Sequence, residues 1–460
     1  MHLSTLNALR LGFSTKAADT IQSLGLENYI TQQLQAKVPI NEPDFIAKSP
    51  KSLATLRDLK QSTEKSGEEV EKITKTLIKT HFEWKAYLVQ RFDKTEVPLR
   101  EKINLFFQNH FVVTSQSVKV PFWIYQHYET IVKYSLSNYK TLVKEMVYTN
   151  AMIKYLDNHQ NRKGKTNENL AREVLELFTL GEGNYSENDI KNIALSLTGL
   201  TFGEKKGMYR PFLKDNSVKT VFGKSGNFDI DEVIDIIFEQ PHTPYFLAEK
   251  VLKWFFYDDP PDSLITKYGD ILKKNHFELS PFFYTLFKEE CQNPKGGNQI
   301  KNPLIFFMQI HHDLQLQPNY KLLAFLLKNQ AMDLYDQPNV KGWKGGKDWL
   351  TAQIYADRNQ FVDFIIDDNE RFRKMLNKRL EKFEVGTISW QPNLHLKTSK
   401  NAKTILEELA ERMVFETNET MQTELNQLLK YDFDPHAQNA KQSILRVYQY
   451  LAKSPEFQII

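Results

Sequence analysis

The sequence predicts a mainly α fold, in which a large multi-helical domain carries one small β-hairpin insertion around residues 200–225. Apolar residues recur three or four positions apart along most of the chain, which is the period of a helix and not of a strand. Glycines and residues with β propensity are concentrated in one stretch, Gly199–Asn227. No period of 20–50 residues recurs, which argues against a helical-repeat solenoid.

The longest predicted helix is Gly67–Phe92, where Val70, Ile73 and Leu77 share one stripe and Glu71 lies off it. A second helix is expected to begin at Pro98, because proline has no N–H to leave unpaired in the first turn. Similar stripes predict helices at Trp123–Val147, Leu170–Leu180, Glu187–Leu197, Asp231–Phe238, Tyr245–Phe256, Ser280–Glu290, Tyr320–Leu327, Ala402–Val414 and Ser443–Leu451.

For two other segments, the sequence predicts a structure other than a long helix. The hairpin is placed in Gly199–Asn227, where Met208–Leu213 and Ser217–Phe222 contain β-formers between glycines. Pro50–Glu69 is rich in Lys, Ser, Thr and Glu, and we expect an exposed connection there with room for one short helical turn. The expected organisation is a helical core at 1–300 and a C-terminal helical portion at 301–460 packed on it, or one continuous domain.

Composition and charge exclude several classes of protein. At roughly 100–200 residues per domain, 460 residues are enough for a sizeable core. Sixty Lys and Arg face 57 Asp and Glu, so the net charge of +3 gives no reason to expect nucleic-acid binding. The one cysteine, Cys291, cannot form an internal disulfide or a Cys-based zinc site. No leader and no transmembrane segment are recognisable, so a cytoplasmic location is the default expectation.

The densest group of polar residues is the segment NENLARE, Asn167–Glu173, together with Glu176 just after it. On a helix, Asn169, Arg172, Glu173 and Glu176 fall at i, i+3, i+4 and i+7 and form one polar strip. In the functional interpretation, Glu173 or Glu176 faces a cleft as a general base or cation ligand, and Arg172 holds an anionic group. In the structural interpretation, the strip is an ion-paired helix edge that docks neighbouring loops.

His110 is the second candidate, because it lies in the apolar stripe of INLFFQNHF and needs a hydrogen-bond partner when buried. It is either a satisfied core histidine or a proton shuttle or metal ligand beside a pocket, with Asn109 as a second polar contact. Asp157 lies in the Asx-rich segment YLDNHQNRKGK, for which a structural loop is the simplest account. Trp343 lies in the glycine-rich segment PNVKGWKGGKDW, which is either a lid over a pocket or a packed loop.

Several familiar motifs fail. FGKS at Phe222–Ser225 lacks the glycine that a phosphate loop requires, and no His-Glu-x-x-His stretch or Gly-x-Ser-x-Gly elbow occurs. The cluster His311–His312–Asp313 has no matching ligand array, and we predict that it is surface or capping polarity.

The stretch NENLAREVLELFTLGEGNYSENDI, Asn167–Ile190, resembles the bacterial domain-of-unknown-function family numbered 1800. Further segments agree in order and cover nearly the whole chain: RLGFST, INLFFQNHF, YLDNHQNRKGK, ALSLTGLTF, FGKSGNFDIDEVIDIIFEQP, NVKGWKGGKDW and LAKSPEF. Gln108 stands where the family's pattern has a histidine, and this weakens a metal role based on a histidine pair. Leu200 stands where an aromatic residue is common.

The resemblance implies a mostly helical bacterial protein that is often encoded beside the sulfatase-like family numbered 1501 and often exported. It implies no established activity, and it leaves the cofactors unknown. The leading hypothesis is a polar-ligand-binding protein, hydrolytic in its stronger form, whose cleft is lined by the residues named above: Asn109, His110, Asp157, Asn169, Arg172, Glu173, Glu176 and Trp343. The alternative is a non-enzymatic scaffold that docks the sulfatase-like neighbour, with Trp343 and Trp349 as surface anchors.

Overall fold

Helices carry almost all the regular structure of the chain, as the sequence predicts. The computed structural model describes residues 1–61, 67–292, 299–367, 370–381, 385–386, 388, 390–397, 401–429 and 433–460. The first twelve α-helices are α1 Leu3–Leu11, α2 Ala18–Leu24, α3 Leu26–Gln35, α4 Asp44–Ala47, α5 Leu53–Gln61, α6 Gly67–Lys94, α7 Pro98–His110, α8 Ser115–Val118, α9 Pro121–Tyr134, α10 Tyr139–Val147, α11 Asn150–Tyr155 and α12 Asn169–Glu173.

A π-helix, Val174–Thr179, continues α12 directly. The remaining α-helices are α13 Glu187–Ser196, α14 Ile230–Ile237, α15 Thr243–Phe255, α16 Asp262–Lys274, α17 Leu279–Gln292, α18 Pro303–Asp313, α19 Tyr320–Asn329, α20 Ala352–Asp367, α21 Glu370–Leu380, α22 Ala402–Met413, α23 Glu419–Leu428 and α24 Ala440–Lys453.

Two predicted elements need correction. The stripe at Trp123–Val147 is two helices, α9 and α10, because the Asn138 side chain accepts from the Lys140 N–H and starts a new helix. In Pro50–Glu69, α5 runs for nine residues, which is longer than one turn. Its start is fixed by Ser52 and Thr55, each of which accepts the other's backbone N–H through its hydroxyl. Residues 62–66 of that segment lie outside the described residues.

In the described part of the chain, the β-strands lie in the predicted region, but they form two small antiparallel pairs. β1 Leu200–Thr201 pairs with β2 Met208–Tyr209, and β3 Lys219–Val221 pairs with β4 Lys224–Gly226. The second pair turns on two residues, Phe222 and Gly223, which both have positive φ. That backbone geometry is typical of a tight hairpin turn.

One hydrophobic cluster occupies the interior, and it includes buried residues from both predicted parts, from Ala8 to Phe457. α7 runs through this cluster, and ten of its residues are buried. α19 packs against α6, and α20 packs against α24. The division near residue 300 stays a prediction. Among the helices that the structure describes, none combines the length and apolarity needed to cross a membrane.

The prediction that His311–His312–Asp313 is surface or capping polarity is wrong for Asp313, which is not at the surface. Asp313 is fully buried at the end of α18, where Oδ1 accepts from Arg412 at 2.8 and 3.0 Å and from Thr15 at 3.0 Å. Tyr448 donates to its Oδ2. These partners lie 99 or more residues away in the sequence, so local spacing carries no sign of them.

Candidate functional site

A cleft of about 630 Å³ opens between the C-terminal half of α7, helix α15 and the glycine-rich loop 339–349. This volume lies within the usual range for small-molecule sites. The described residues that line it are Lys102, Phe106, Asn109, His110, Leu177, Lys250, Lys253, Trp254, Asp258, Gln299, Ile300, Asn302, Ile305, Asn339–Trp349 and Ile460.

Among the described residues that line this cleft, the charged side chains are predominantly cationic. Six lysines line it, against two aspartates, Asp258 and Asp348. The lysines are Lys102, Lys250, Lys253, Lys341, Lys344 and Lys347. Three of them have carboxylate partners: Lys253 pairs with Glu249 at 2.5 Å, Lys341 with Glu182 at 2.8 Å and Lys344 with Asp348 at 3.5 Å. The pairing leaves a positive surplus in the cleft.

Lys250 is the lysine whose surroundings are most unusual. It is half-buried on α15, and none of the described residues forms an ion pair with it. Its ammonium lies 5.3 Å from the centre of the Phe246 ring. Burial lowers the pKa of Lys250; the charges of Glu249 and Glu182 oppose this effect, and the charges of Lys253 and Lys341 add to it. An anion placed beside this ammonium would relieve both effects.

Lys102 lies deeper in the same cleft. Its ammonium donates to the Leu9 carbonyl at 2.8 Å. Burial lowers the pKa of Lys102 to about 7, so this amine changes charge near neutral pH.

The loop 339–349 forms one wall of the cleft and is held by Asn109. Asn109 Oδ1 accepts from the Trp343 backbone N–H at 2.8 Å. Gly342 has φ of 83°, and a Cβ there would lie 2.4 Å from Asn109 Oδ1. Trp343 and Trp349 are 5% and 7% exposed, and both pack near Trp254. The loop is therefore packed, and its two tryptophans are not surface anchors.

His110 borders the cleft as a buried, hydrogen-bonded histidine. Its Nε2 lies 2.9 Å from the Tyr139 hydroxyl, which donates to the Phe178 carbonyl. Because Tyr139 uses its proton on Phe178, Nε2 is the protonated nitrogen of His110. Burial lowers the pKa of His110 to about 3, and the charge of Lys250 adds to this effect. The imidazole is neutral at physiological pH.

The Phe178 carbonyl is free to accept this bond because the π-helix ends at Thr179, and the last carbonyls of a helix have no partner within it. In a π-helix, N–H groups bond to carbonyls five residues back, and such turns often occur at functional sites. The Thr179 hydroxyl donates to the Val174 carbonyl at 2.6 Å, which also spans five residues. The π-helix brings Leu177 to the cleft wall and Phe178 against His110.

The charged residues of the polar strip on α12 and the π-helix mostly have partners, chiefly in the segment 185–187. Arg172 bonds Glu187 through both terminal nitrogens at 3.2 and 3.1 Å, and it bonds Glu176 at 3.3 Å. Glu176 also accepts from the Tyr185 hydroxyl at 2.6 Å. Asn167 accepts from the Asn169 N–H at the start of α12. These contacts match the structural interpretation of the strip.

Glu173 differs from its neighbours, since no described residue makes a hydrogen bond or ion pair with its carboxyl group. It is half-buried, and burial together with the charge of Glu176 raises its pKa to about 7. The charge of Lys341 works in the opposite direction. Glu173 therefore lies close to the cleft's glycine-rich loop, although it does not line the cleft.

Asp157 stands apart from the cleft. It has φ of 55° in the loop before α12, and its carboxylate accepts from Gln160 at 3.1 Å. Asn158 and Asn161 fix this loop by donating to the carbonyls of Leu200 and Ala194 at 2.8 and 2.9 Å. Of the predicted site residues, the structure brings Asn109, His110 and Trp343 into the cleft. It leaves Asp157, Asn169, Arg172, Glu173 and Glu176 outside.

Comparison with known proteins identifies the family of this chain. A family model described as a protein of unknown function, DUF1800, matches residues 5–459. The chain belongs to this family. No curated protein and no solved structure matches the chain.

Two of the segments that carry the DUF1800 resemblance meet at the cleft: INLFFQNHF on α7 and NVKGWKGGKDW in the loop. The NENLARE segment lies near that loop, since the charges of Glu173 and Lys341 act on each other.

Sequence reasoning missed the lysines. In the DUF1800 loop, the spacing of Lys341, Lys344 and Lys347 between glycines was a usable sign of a cationic wall. Lys102 and Lys250 give no such sign, because they come from two helices that only the fold brings together. Among the described residues, no group of three or more His, Cys, Asp or Glu side chains is arranged to hold a metal ion.

Proposed function

We propose that this protein binds a small anionic ligand in the lysine-lined cleft. The observation that carries the proposal is Lys250, a half-buried ammonium without an ion-pair partner among the described residues. An unpaired cation removed from water costs free energy, and an anion that hydrogen-bonds to it offsets that cost. The surplus of lysines over aspartates supports the same sign of ligand charge.

Ligand binding is better supported than hydrolysis. His110 is the imidazole that borders the cleft, and a group whose pKa is about 3 is a weak base at neutral pH. Glu173 has a pKa of about 7, which suits proton transfer, but it does not line the cleft. Hydrolysis by Glu173 would therefore require its carboxyl group to reach a ligand that the lining residues hold.

The test is a thermal-shift series with inorganic phosphate, sulfate, phosphorylated and sulfated monosaccharides, and uncharged glucose. A ligand at about 100 times its Kd adds about 2.7 kcal/mol to the free energy of unfolding. We expect at least one anion to stabilise the wild type, glucose to have no effect, and Lys250→Ala to lose most of the shift.

Lys274→Ala is the matched control, since Lys274 is exposed on the neighbouring helix α16 and does not line the cleft. It should keep the full anion response. Equal responses from the Lys250 and Lys274 variants, or no response to any anion, would rule out the proposed site.

The second candidate is a scaffold that docks the sulfatase-like neighbour. The exposed side chains of Phe212 and Val218, at 79% and 70%, support it, and they lie near the two β pairs. Phe212→Ser should then weaken the complex with the purified neighbour in calorimetry without lowering thermal stability. If Phe212→Ser binds as tightly as the wild type, this surface is not the docking site.

A further inference from the structure

A second cavity of about 600 Å³ lies on a different set of elements, between α5, α6, α8 and α19. Its walls are largely apolar. The apolar side chains that form them are Leu56, Leu77, Ile78, Phe82, Ala324 and Phe325. Ile78 is 58% exposed, which is unusual for a large apolar residue and places it at the mouth of the cavity. An apolar cavity of this size with a few polar groups is typical of a ligand site.

His81 is the polar group that the fold leaves unsatisfied there. It lines the cavity from α6, and both ring nitrogens are buried without a hydrogen-bond partner. Burial lowers the pKa of His81 to about 4; the charge of Asp336 and the nearby Lys119 backbone oppose this effect, and the charge of Lys85 adds to it. Buried polar groups almost always have partners, so this neutral ring has hydrogen-bonding capacity available for a ligand.

The charges of the described side chains that line the cavity are positive in sum. Lys85 pairs with Asp333 and, at 2.8 Å, with Asp336. Asp336 also accepts from the Ser115 hydroxyl at 2.6 Å, and Lys328 lies 3.6 Å from Asp333. Two further lining lysines, Lys60 and Lys119, have no ion-pair partner among the described residues. The aspartates are thus neutralised, and two cations remain.

We propose that this cavity binds an amphiphilic carboxylate, with its apolar chain against the walls and its head group beside His81 and Lys119, which lie close together. The apolar lining excludes a strongly polar ligand, and the two unpaired lysines select a negative head group. This site shares no lining residue with the cleft described above.

The test uses decanoate as the probe, with decanol and decyltrimethylammonium as neutral and cationic partners of equal chain length. Isothermal titration below the micelle concentration should show decanoate binding roughly tenfold or more tightly than either partner. Equal affinities for the three probes would overturn the choice of a carboxylate, and no heat with decanoate would overturn the site.

Two variants with a control locate the binding. Lys119→Gln should weaken decanoate binding roughly 3- to 10-fold, whereas Lys72→Gln, the same charge change at an exposed α6 position outside the cavity, should leave it unchanged. His81→Phe should raise thermal stability, because it removes an unsatisfied buried ring, and should weaken decanoate binding. Decanoate affinity that is unchanged in both cavity variants would overturn the proposal.

Discussion

Glu173 is the residue whose ionisation should be visible in the stability of the whole protein. Its pKa is raised from the ordinary value of 4.5 to about 7, chiefly by burial. Between these values the folded chain binds more protons than the unfolded chain, so stability falls as pH rises through this window. The ionised carboxylate is therefore a cost to the fold at pH 8.

Glu173→Gln should remove that cost. We expect the variant to gain about 1–2 kcal/mol relative to wild type at pH 8, a figure reduced for partial exposure, and little at pH 4.5. Urea denaturation at the two pH values measures the difference. Glu182→Gln is the control: the Lys341 ion pair lowers the pKa of Glu182, so its loss should bring no gain at pH 8. A gain for Glu173→Gln that is equal at both pH values would contradict the assignment.

At the scale of elements, the loop 339–349 depends on one glycine. In Gly342→Ala, the new Cβ would combine positive φ with a clash against Asn109, so we expect a loss of about 2–4 kcal/mol in unfolding free energy. Gly183→Ala isolates the φ contribution, because Gly183 has φ of 85° and open space around it. That control should lose about 1 kcal/mol. Similar losses in the two variants would show that the Asn109 contact is not restrictive.

The π-helix should depend on the Thr179 hydroxyl. Thr179→Val keeps the shape of the side chain but removes the hydrogen bond to the Val174 carbonyl, so we expect a loss of about 1 kcal/mol. Thr31→Val removes an exposed hydroxyl that bonds the Glu27 carbonyl in α3, and its effect should stay within about 0.5 kcal/mol. Guanidinium denaturation of both variants compares them. If the two substitutions cost the same, the Thr179 bond adds nothing to the π-turn.

The sequence predicts elements with a clear apolar stripe well. α6 and α7 begin at the predicted residues, Gly67 and Pro98, because each helix carries its own period and start signal. Prediction from the sequence fails where the contact that determines a residue's burial comes from residues far away in the sequence. α18 is apolar on nearly every side, so it shows no stripe, and Asp313 looks like exposed polarity until Arg412 and Tyr448 reach it.

The same distinction applies to the candidate site. Asn109 and His110 are found from one segment, since a polar pair inside an apolar stripe is visible locally. The polar pattern of the strip Asn169–Glu176 is also visible in the sequence. Its spacing, however, cannot distinguish pairing with Glu187 and Tyr185 from exposure to a cleft. Lys102 and Lys250 are invisible in the sequence, because their proximity to each other is a product of tertiary packing.

For the whole molecule, buried histidines should set the acid limit of stability. Burial lowers the pKa of His81, His110 and His127 to about 4, 3 and 3, whereas an unfolded histidine has a pKa near 6.5. Below pH 6.5 the unfolded chain therefore binds more protons, and stability falls by up to about 1.4 kcal/mol per pH unit for each group. Glu173 acts in the opposite direction, because its raised pKa makes the folded chain bind more protons. It offsets the effect of one of the three histidines.

Urea denaturation at pH 7.5, 6.5 and 5.5 should show this decline, and His127→Leu should reduce its slope by about a half, because two histidines against Glu173 replace three against Glu173. Unfolding free energies that are flat over this range, or a slope that His127→Leu leaves unchanged, would be the contrary result.

The hydrophobic cluster shared by both parts of the chain also has a consequence for biosynthesis. Trp254 packs against Trp343, Lys85 on α6 pairs with Asp336, and Ile300 bridges to Ile459, so the interior of the first 300 residues is completed by residues translated later. At 5–20 residues per second, the ribosome needs roughly 10–30 s to add the last 160. Throughout that interval, large apolar surfaces of the nascent chain lack the later residues that bury them in the folded protein. Under this condition chaperone binding competes with aggregation.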